Sequence, residues 1–412
     1  MSLVTECDER SSSLGFHRLL VLALVLILAL SSARSVSAAT SAWVVVTSPN
    51  PSTTSVSNNV LSGVAAITDS NVWAVGSYSS TSGNDLDHTL AEHWNGATWS
   101  IVSTPNPGTN GSSLEAVSAD SSTDVWAVGE TNTNPFGTAS QDQTLIEHYN
   151  GSAWSVVPSP NPSNQGDVLT GVKAFASNNV WAVGYYLDTL YDSLDPLVLH
   201  WDGTSFTMFT SGVPVGSGFL LEAINGLSPT DIWAVGEDGF GDTNFEMHFN
   251  GVQWSVAPSA SFPNGGQQFI AGVAEVSTDD VWAVGSYVPT VFAEQQTLAL
   301  NWNGNTWSQV KTPNVDTYFN KFYAVAAVSA SDVWAVGYAY TTSGLSFDTL
   351  IEHWNGVAWS IVSSPNAKGT TGNELVGIAV SGTTTLWSVG SADSTTKGNP
   401  GLRTLTEHTT KG

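Results

Sequence analysis

Asp332-Val-Trp-Ala-Val-Gly337 occurs, in this or a closely related form, seven times in the chain. The tryptophans of the seven copies are Trp73, Trp126, Trp181, Trp233, Trp282, Trp334 and Trp387, at intervals of 53, 55, 52, 49, 52 and 53 residues. Units of about 50 residues are too regular for chance and too short for separate domains. Periods of this length belong to blades, solenoids or arrays. Ser, Thr, Gly, Asn, Val and Trp dominate, a composition that suits strands and turns rather than helices.

Working outward from the first copy, each unit reads as four strands. Leu61-Ser-Gly-Val-Ala-Ala-Ile67 is strand a, and Val72-Trp-Ala-Val-Gly-Ser-Tyr78 is strand b. A polar loop leads to strand c, Thr89-Leu-Ala-Glu-His-Trp94. Asn95-Gly96 then reads as a two-residue hairpin turn into strand d, Trp99-Ser-Ile-Val-Ser-Thr104. The pattern predicts an all-β fold, a seven-bladed β-propeller of four-stranded antiparallel blades. The blades fall at about residues 59–107, 112–162, 166–213, 219–260, 268–314, 321–366 and 374–409, the last joined by 42–51.

The two ends explain that last assignment. The seventh unit stops after strand c, Arg403-Thr-Leu-Thr-Glu-His408. Its missing strand stands at the front, where Trp43-Val-Val-Val-Thr-Ser-Pro-Asn-Pro51 matches Trp154-Ser-Val-Val-Pro-Ser-Pro-Asn-Pro162. The N-terminal strand is therefore expected to complete the last blade and close the ring. An open solenoid would instead carry polar caps. Strand a, rich in Gly and Ala, suits the crowded axis, and prolines after strand d blunt the exposed outer edge.

Residues 1–39 read as a leader. Arg18 precedes the apolar run Leu19 to Leu30, followed by small residues ending Val36-Ser37-Ala38-Ala39. A run this short is a signal-peptide core more often than a membrane span, which predicts a secreted protein; an uncleaved N-terminal anchor is the alternative. Cys7, the only cysteine, lies in the leader, so the mature chain has no disulfide and no thiol chemistry. With 10 Lys and Arg against 35 Asp and Glu, the net charge of -25 argues against nucleic acid and anionic membrane surfaces as partners.

The repeated polar residues read as structure. The Asp or Asn opening strand b (Asn71, Asp124, Asn179, Asp231, Asp280, Asp332) suits a turn. Strand c carries Glu-His at Glu92-His93, Glu147-His148, Glu352-His353 and Glu407-His408, and Asn301 in the fifth unit. Histidine beside carboxylate suggests zinc or acid–base chemistry. Equivalent positions on seven diverging blades cannot converge on one metal, so a repeated hydrogen bond is the expected role.

Leu61-x-Gly-Val, Trp73-Ala-Val-Gly and Asn95-Gly-x-x-Trp99 together resemble propeller repeats of the Asp-box or BNR-like kind, and those of photosystem assembly factors. The units also resemble secreted bacterial repeat proteins carrying His-Trp-Asn-Gly and Ser-Pro-Asn-Pro. The resemblance covers about residues 42–412. It departs from the Asp-box in that Asn95 and Gly96 are adjacent and His93 stands near the Ser or Thr slot. The resemblance would imply a sialidase, but sialidases clamp a carboxylate with several arginines, and only Arg403 follows the leader. A galactose-oxidase-type copper site would require a cysteine.

The a–b and c–d turns are short and uniform on one face; the b–c and d–a connections vary and share the other. Binding is expected on the variable face. Tyr185, Tyr186, Tyr191, Phe240, Tyr287, Tyr338 and Tyr340 are the candidate ligand-binding rim, with carboxylates interleaved, a combination that suits sugars, peptides or cationic groups. Aromatics that merely pin their own loops are the alternative. Glu237, Asp238 and Asp242 form the candidate calcium loop; no other cofactor is expected. No nucleophile–base–acid set is recognisable, so no catalytic residue is assigned. The leading reading is a secreted, monomeric binding or scaffold propeller for an extracellular glycan, peptide or protein. The alternative is an extracellular polysaccharide hydrolase or lyase using loop carboxylates. Two acids of raised pKa in one central pocket would favour the alternative.

Overall fold

The computed structural model describes residues 42–52, 57–79, 87–132, 141–191, 193–239, 243–260, 266–290, 293–315, 318–341, 346–382, 385–393 and 401–409. The expected leader lies outside them, as do Phe240 and Asp242 of the candidate sites. The described residues form 28 strands and no α-helix. They group into seven four-stranded antiparallel sheets. In the first blade Asn58–Thr68 (a), Asn71–Ser79 (b), His88–Trp94 (c) and Trp99–Val102 (d) pair in sequence order. The last runs Asn373–Ser381, Thr385–Asp393, Leu402–Thr409 and then Trp43–Val46, with Trp43 opposite Thr409. The N-terminal strand completes the final blade of a seven-bladed β-propeller, as the repeat pattern predicts.

The strand-b tryptophan makes the seam between blades. Its ring packs on the strand d aromatic of the following blade, joined in all but the sixth by a strand c aromatic. Trp73 meets Tyr149 and Trp154 at centroid separations of 4.6 and 5.3 Å, and Trp233 meets Trp302 and Trp307 at 5.0 and 5.2 Å. The same contact crosses both joints of the closing blade, as Trp334–Trp43 at 6.0 Å and Trp387–Trp94 at 5.0 Å. Large apolar area and T-shaped geometry both favour such pairs. The glycine ending each motif is dictated by the neighbouring backbone. A Cβ at Gly76 would lie 2.0 Å from the Val60 carbonyl oxygen, and one at Gly337 would lie 1.8 Å from that of Lys321.

The Glu-His pair divides its two residues between opposite faces of strand c. The histidine stacks on its own blade's tryptophan, as in Trp126–His148 at 4.1 Å and Trp334–His353 at 4.2 Å. Its Nε2 meets the Asp or Asn opening strand b: Asn71 at 2.9 Å, Asp124 at 2.5 Å, Asp231 at 2.6 Å and Asp332 at 2.9 Å. Asn301 does the same work in the fifth blade, donating to Asp280 at 2.8 Å. The expected structural hydrogen bond is present. The glutamates are buried, and no protein group hydrogen-bonds to the carboxyls of Glu92, Glu147 or Glu352. Burial pushes them up to about 8, about 8 and about 9, so they are protonated at neutral pH.

Two details differ from the sequence reading. The c–d connection is a four-residue loop, because Trp94 pairs directly with Trp99. Asn95 Oδ1 accepts from the amides of Ala97 and Thr98, closing a wider loop than Asn-Gly alone would need, and Gly96 supplies its φ of 93°. The Ser-Pro-Asn-Pro segment also does more than blunt an edge. Its asparagine accepts from an amide near the start of strand c, as Asn161 does from Thr144 at 2.7 Å and Asn50 from Thr404 at 3.0 Å.

Two outcomes are expected. Trp43→Ala should cost about 3–5 kcal/mol in urea unfolding followed by circular dichroism. Val45→Ser, on the exposed side of the same strand, should stay within about 0.5 kcal/mol. The strand-c acids predict a pH dependence. The folded-state pKa of Glu352 lies above the ordinary 4.5, so its contribution is complete below 4.5 and is lost as pH rises towards about 9. Stability should therefore fall from pH 7 to pH 9. Glu352→Gln should remove on the order of 2 kcal/mol of that fall, and equal slopes for the two proteins would contradict the assignment.

Candidate functional site at the loop-face mouth of the channel

Strand a starts and strand b ends on the face that carries the variable loops. Around the axis the seven strands a enclose a channel of about 480 Å³, lined mostly by Gly, Ala and Val. In every blade the a–b register slips by one residue, for instance between Leu114 and Ala116 and between Leu221 and Ala223. The extra residue turns into the channel. It is Ser62, Glu115, Thr170, Glu222, Ala271, Tyr323 or Val376 in successive blades. The repeat thus presents the same position seven times with different chemistry.

Nearer the mouth stand the residues that follow the strand-b glycines, each opposite a residue at the start of strand a. Ser113 faces Glu130, Val168 faces Tyr185, Leu220 faces Glu237, Lys321 faces Tyr338 and Glu374 faces Ser391. All ten except Val168, Leu220 and Ser391 are buried only in part, which leaves them open to the mouth. Tyr323 and Tyr338 lie 5.8 Å apart, and Lys321 Nζ sits 4.5 Å from the Tyr323 ring centre.

The electrostatics tie these residues into one site. Burial pushes Glu130 up to about 7, with Asp142, Glu115 and Asp87 repelling in the same direction. Burial lifts Glu222 to about 7 against the pull of the Lys321 ammonium, and Glu237 to about 8 with Glu222 adding to the rise. Burial also raises Glu115 and Glu374, although the Ser113 and Ser391 hydroxyls donate to them at 2.9 Å each. Tyr185 is pushed up to about 12 by burial and then by Glu130, Glu222, Asp142 and Glu115. Lys321 is lowered by burial and held up by Glu237, Glu222 and Glu374. Further down the channel, burial lowers Lys173 while Glu275 opposes the shift.

The candidate rim residues fall into three groups. Tyr185 and Tyr338 are at the mouth, and Tyr340 joins Tyr338, Phe319 and Phe347 in an aromatic cluster with spacings of 5.4–5.8 Å. Tyr186 is packed in the core, and Tyr287 donates to Gln296 at 2.9 Å beside the core, so these two hold their own blades. Tyr191 is exposed on its loop, against Gly216. The tyrosines at 185, 186, 287, 338 and 340 all stand on strand b, not on the loops, because pairing with strands a and c runs further than the polar sequence suggests. Strand b likewise runs through Asp238, so Glu237 and Asp238 project from opposite faces of the blade, and Asp238 accepts from the Thr243 hydroxyl at 3.0 Å. Among the described residues no group of three or more His, Cys, Asp or Glu is placed to hold a metal ion.

Sequence reasoning missed Glu115, Glu130, Glu222, Glu374, Lys321 and Tyr323, because attention went to loops. Aligning the seven units would have shown them. Glu115, Glu222 and Tyr323 occupy one column, and Glu130, Tyr185, Glu237 and Tyr338 another.

No described protein family matches the sequence, and no curated protein matches it. Solved structures do. The chain is similar to YCF48 bound to D1 peptide, at 13% identity and a TM-score of 0.54, over 90% of this chain and 97% of that one. It is similar to a GH74 xyloglucanase from Xanthomonas campestris at 11% identity and 0.52, over 88% of this chain and 55% of the other. A PL25 ulvan lyase bound to a GlcA(1-4)Rha3S unit follows at 9% identity and 0.50, over 85% and 94%. Identities this low speak for the propeller fold and for nothing finer.

If Lys321 holds down the acids around it, Lys321→Met should raise the pKa of Glu222, Glu237 and Glu374 and leave that of Glu130 in place. Carboxyl carbon-13 titration by NMR reads all four; a uniform shift, or none, would contradict the site as described.

Proposed function

We propose that the chain is a non-catalytic binding propeller that works outside the cell and takes its glycan, peptide or protein ligand at the loop-face mouth of the channel. One observation carries this reading: tyrosines and carboxyls from five blades meet at one mouth, on the face where the repeat stops being uniform. Aromatic faces take sugar rings, apolar side chains and cations, and half-buried carboxyls add direction. The leader supports an extracellular setting, and the charge of -25 disfavours nucleic acid as the ligand.

The hydrolase or lyase reading gains something from the structure, because Glu222 and Glu237 are both raised and lie in one central site. Carboxyl-pair catalysis, however, needs the two groups pushed apart, one protonated and one ionised. Here burial raises both together, to about 7 and about 8. That pattern suits a desolvated binding surface better than an acid–base pair.

Peptide and glycan arrays, with a polysaccharide-cleavage panel run alongside, test the proposal. Binding without turnover is expected. Tyr185→Ala and Tyr338→Ala should each weaken the hits at least tenfold, while Val252→Ser on the opposite face should leave them unchanged. Cleavage that vanishes in Glu222→Gln would establish the enzyme instead.

A further inference from the structure

On the face of the short uniform turns, the a–b register of the first six blades slips a second time, just before the turn. The extra residue is Ile67, Asp120, Phe175, Leu227, Val276 or Val328 in successive blades. Five of these are apolar and one is an acid. Ile67, Phe175, Val276 and Val328 pack into the cluster that joins their blade to the next, with Trp73, Trp181, Trp282 and Trp334 respectively. Asp120 is exposed and takes no part in the corresponding cluster around Trp126.

Where Asp120 replaces the apolar residue, a cleft of about 510 Å³ lies between the second and third blades. Asp120 and Asp124, on either side of one a–b turn, line it together with Trp126 and His148, and the third blade contributes Ser177 and Trp201. Trp201 is half-buried, its ring centre 5.3 Å from that of Trp126. Asp124 is only 7% exposed. Its Oδ1 accepts from the Trp126 indole at 2.8 Å and from His148 Nε2 at 2.5 Å, while its buried Oδ2 has no hydrogen-bond donor among the described residues. A buried carboxylate oxygen without a donor is costly, and a second carboxylate at the same cleft adds repulsion. Burial, and then Asp124, raises the pKa of Asp120.

We infer that this cleft is a second binding site, on the face opposite the mouth, for the guanidinium of an arginine side chain. A planar fork of N–H donors serves two carboxyls at once, and its flat face stacks on an indole, the part open to Trp201. A neutral hydroxyl would supply a donor and leave the two like charges uncompensated. A metal ion lacks ligands, because Asp124 occupies His148 Nε2 and no three acidic or histidine groups among the described residues are placed to hold one. Arg403, the one arginine after residue 39, stands on the last blade, so the guest comes from outside the propeller. The inference is independent of what the mouth binds.

Isothermal titration calorimetry on the full chain tests it with capped tripeptides that carry arginine, citrulline or lysine between two glycines, with ethylguanidine, and with calcium alone. The arginine peptide should bind, and the citrulline peptide, equal in shape but uncharged, should bind about tenfold more weakly or worse. Asp120→Val installs the residue type that Val276 and Val328 already supply in the fifth and sixth blades. It should melt no lower than the parent and weaken the arginine peptide by about tenfold or more. Asp120→Asn keeps the size of the side chain, removes its charge and should weaken the peptide as well. Ethylguanidine that binds as tightly as the peptide keeps the site and assigns it to free guanidines. Citrulline or lysine peptides that bind as well as arginine, calcium binding that is lost in Asp120→Val, or arginine binding undiminished in Asp120→Asn overturns it. Arginine binding lost in Tyr338→Ala and retained in Asp120→Val would move the guest to the mouth, which removes the cleft site and leaves the mouth reading standing.

Discussion

The structure depends on one contact, made seven times: a strand-b tryptophan laid against the strand d aromatic of the next blade, joined in all but the sixth by a strand c aromatic. A four-stranded blade cannot bury its own faces, so each is stable only against its neighbours. The arrangement holds only if the first and last blades also meet. Trp43, carried by the N-terminal strand, supplies the partner for Trp334, and Trp387 reaches Trp94 and Trp99 of the first blade. In six blades the histidine of strand c stacks on the seam tryptophan, and in the first four and the sixth the Asp or Asn that opens strand b holds that histidine. The most conspicuous polar residues of the repeat are therefore committed to the seam.

That commitment determines where variety is tolerated. Mid-blade positions are tied to tryptophan, histidine and a glycine whose missing side chain lets a carbonyl pass. The slipped residue of strand a faces the channel, where neither the seam nor the sheet ladder specifies a side chain. Successive blades accordingly offer Ser62, Glu115, Thr170, Glu222, Ala271, Tyr323 and Val376 at one level. A symmetric scaffold acquires an asymmetric mouth without altering any contact that keeps it closed.

The same division explains what the sequence revealed. Blade number, strand order and ring closure were legible because they rest on residues repeated at a fixed period, and the partial unit at each end showed which strand was missing. The mouth was harder to read. Glu115 and Glu222 sit inside apolar runs about a hundred residues apart, and only a closed ring brings them within electrostatic reach. Tyr186 and Tyr185 are neighbours in sequence, yet one is core and the other half-buried on the opposite side of the strand, because strand pairing continues past the point where polar residues suggest a loop. The slip between strands a and b, which turns Glu222 inward, has no residue signature of its own within a single unit. It emerges only when the seven are laid side by side.

Two sets of acids in this molecule have raised pKa values for the same first reason, burial, and only one set belongs to a candidate site. Glu92, Glu147 and Glu352 are sealed between sheets, protonated and out of reach of any ligand. Glu130, Glu222 and Glu237 are raised to a similar degree but stand where the channel opens. A perturbed pKa points to function only in combination with access. What separates the two sets is their position relative to the seam. Acids on strand c lie within the contact that closes the ring, and a ligand could reach them only by parting two blades. Acids at the ends of strands a and b lie beyond that contact, so a ligand can neutralise them while the propeller stays closed.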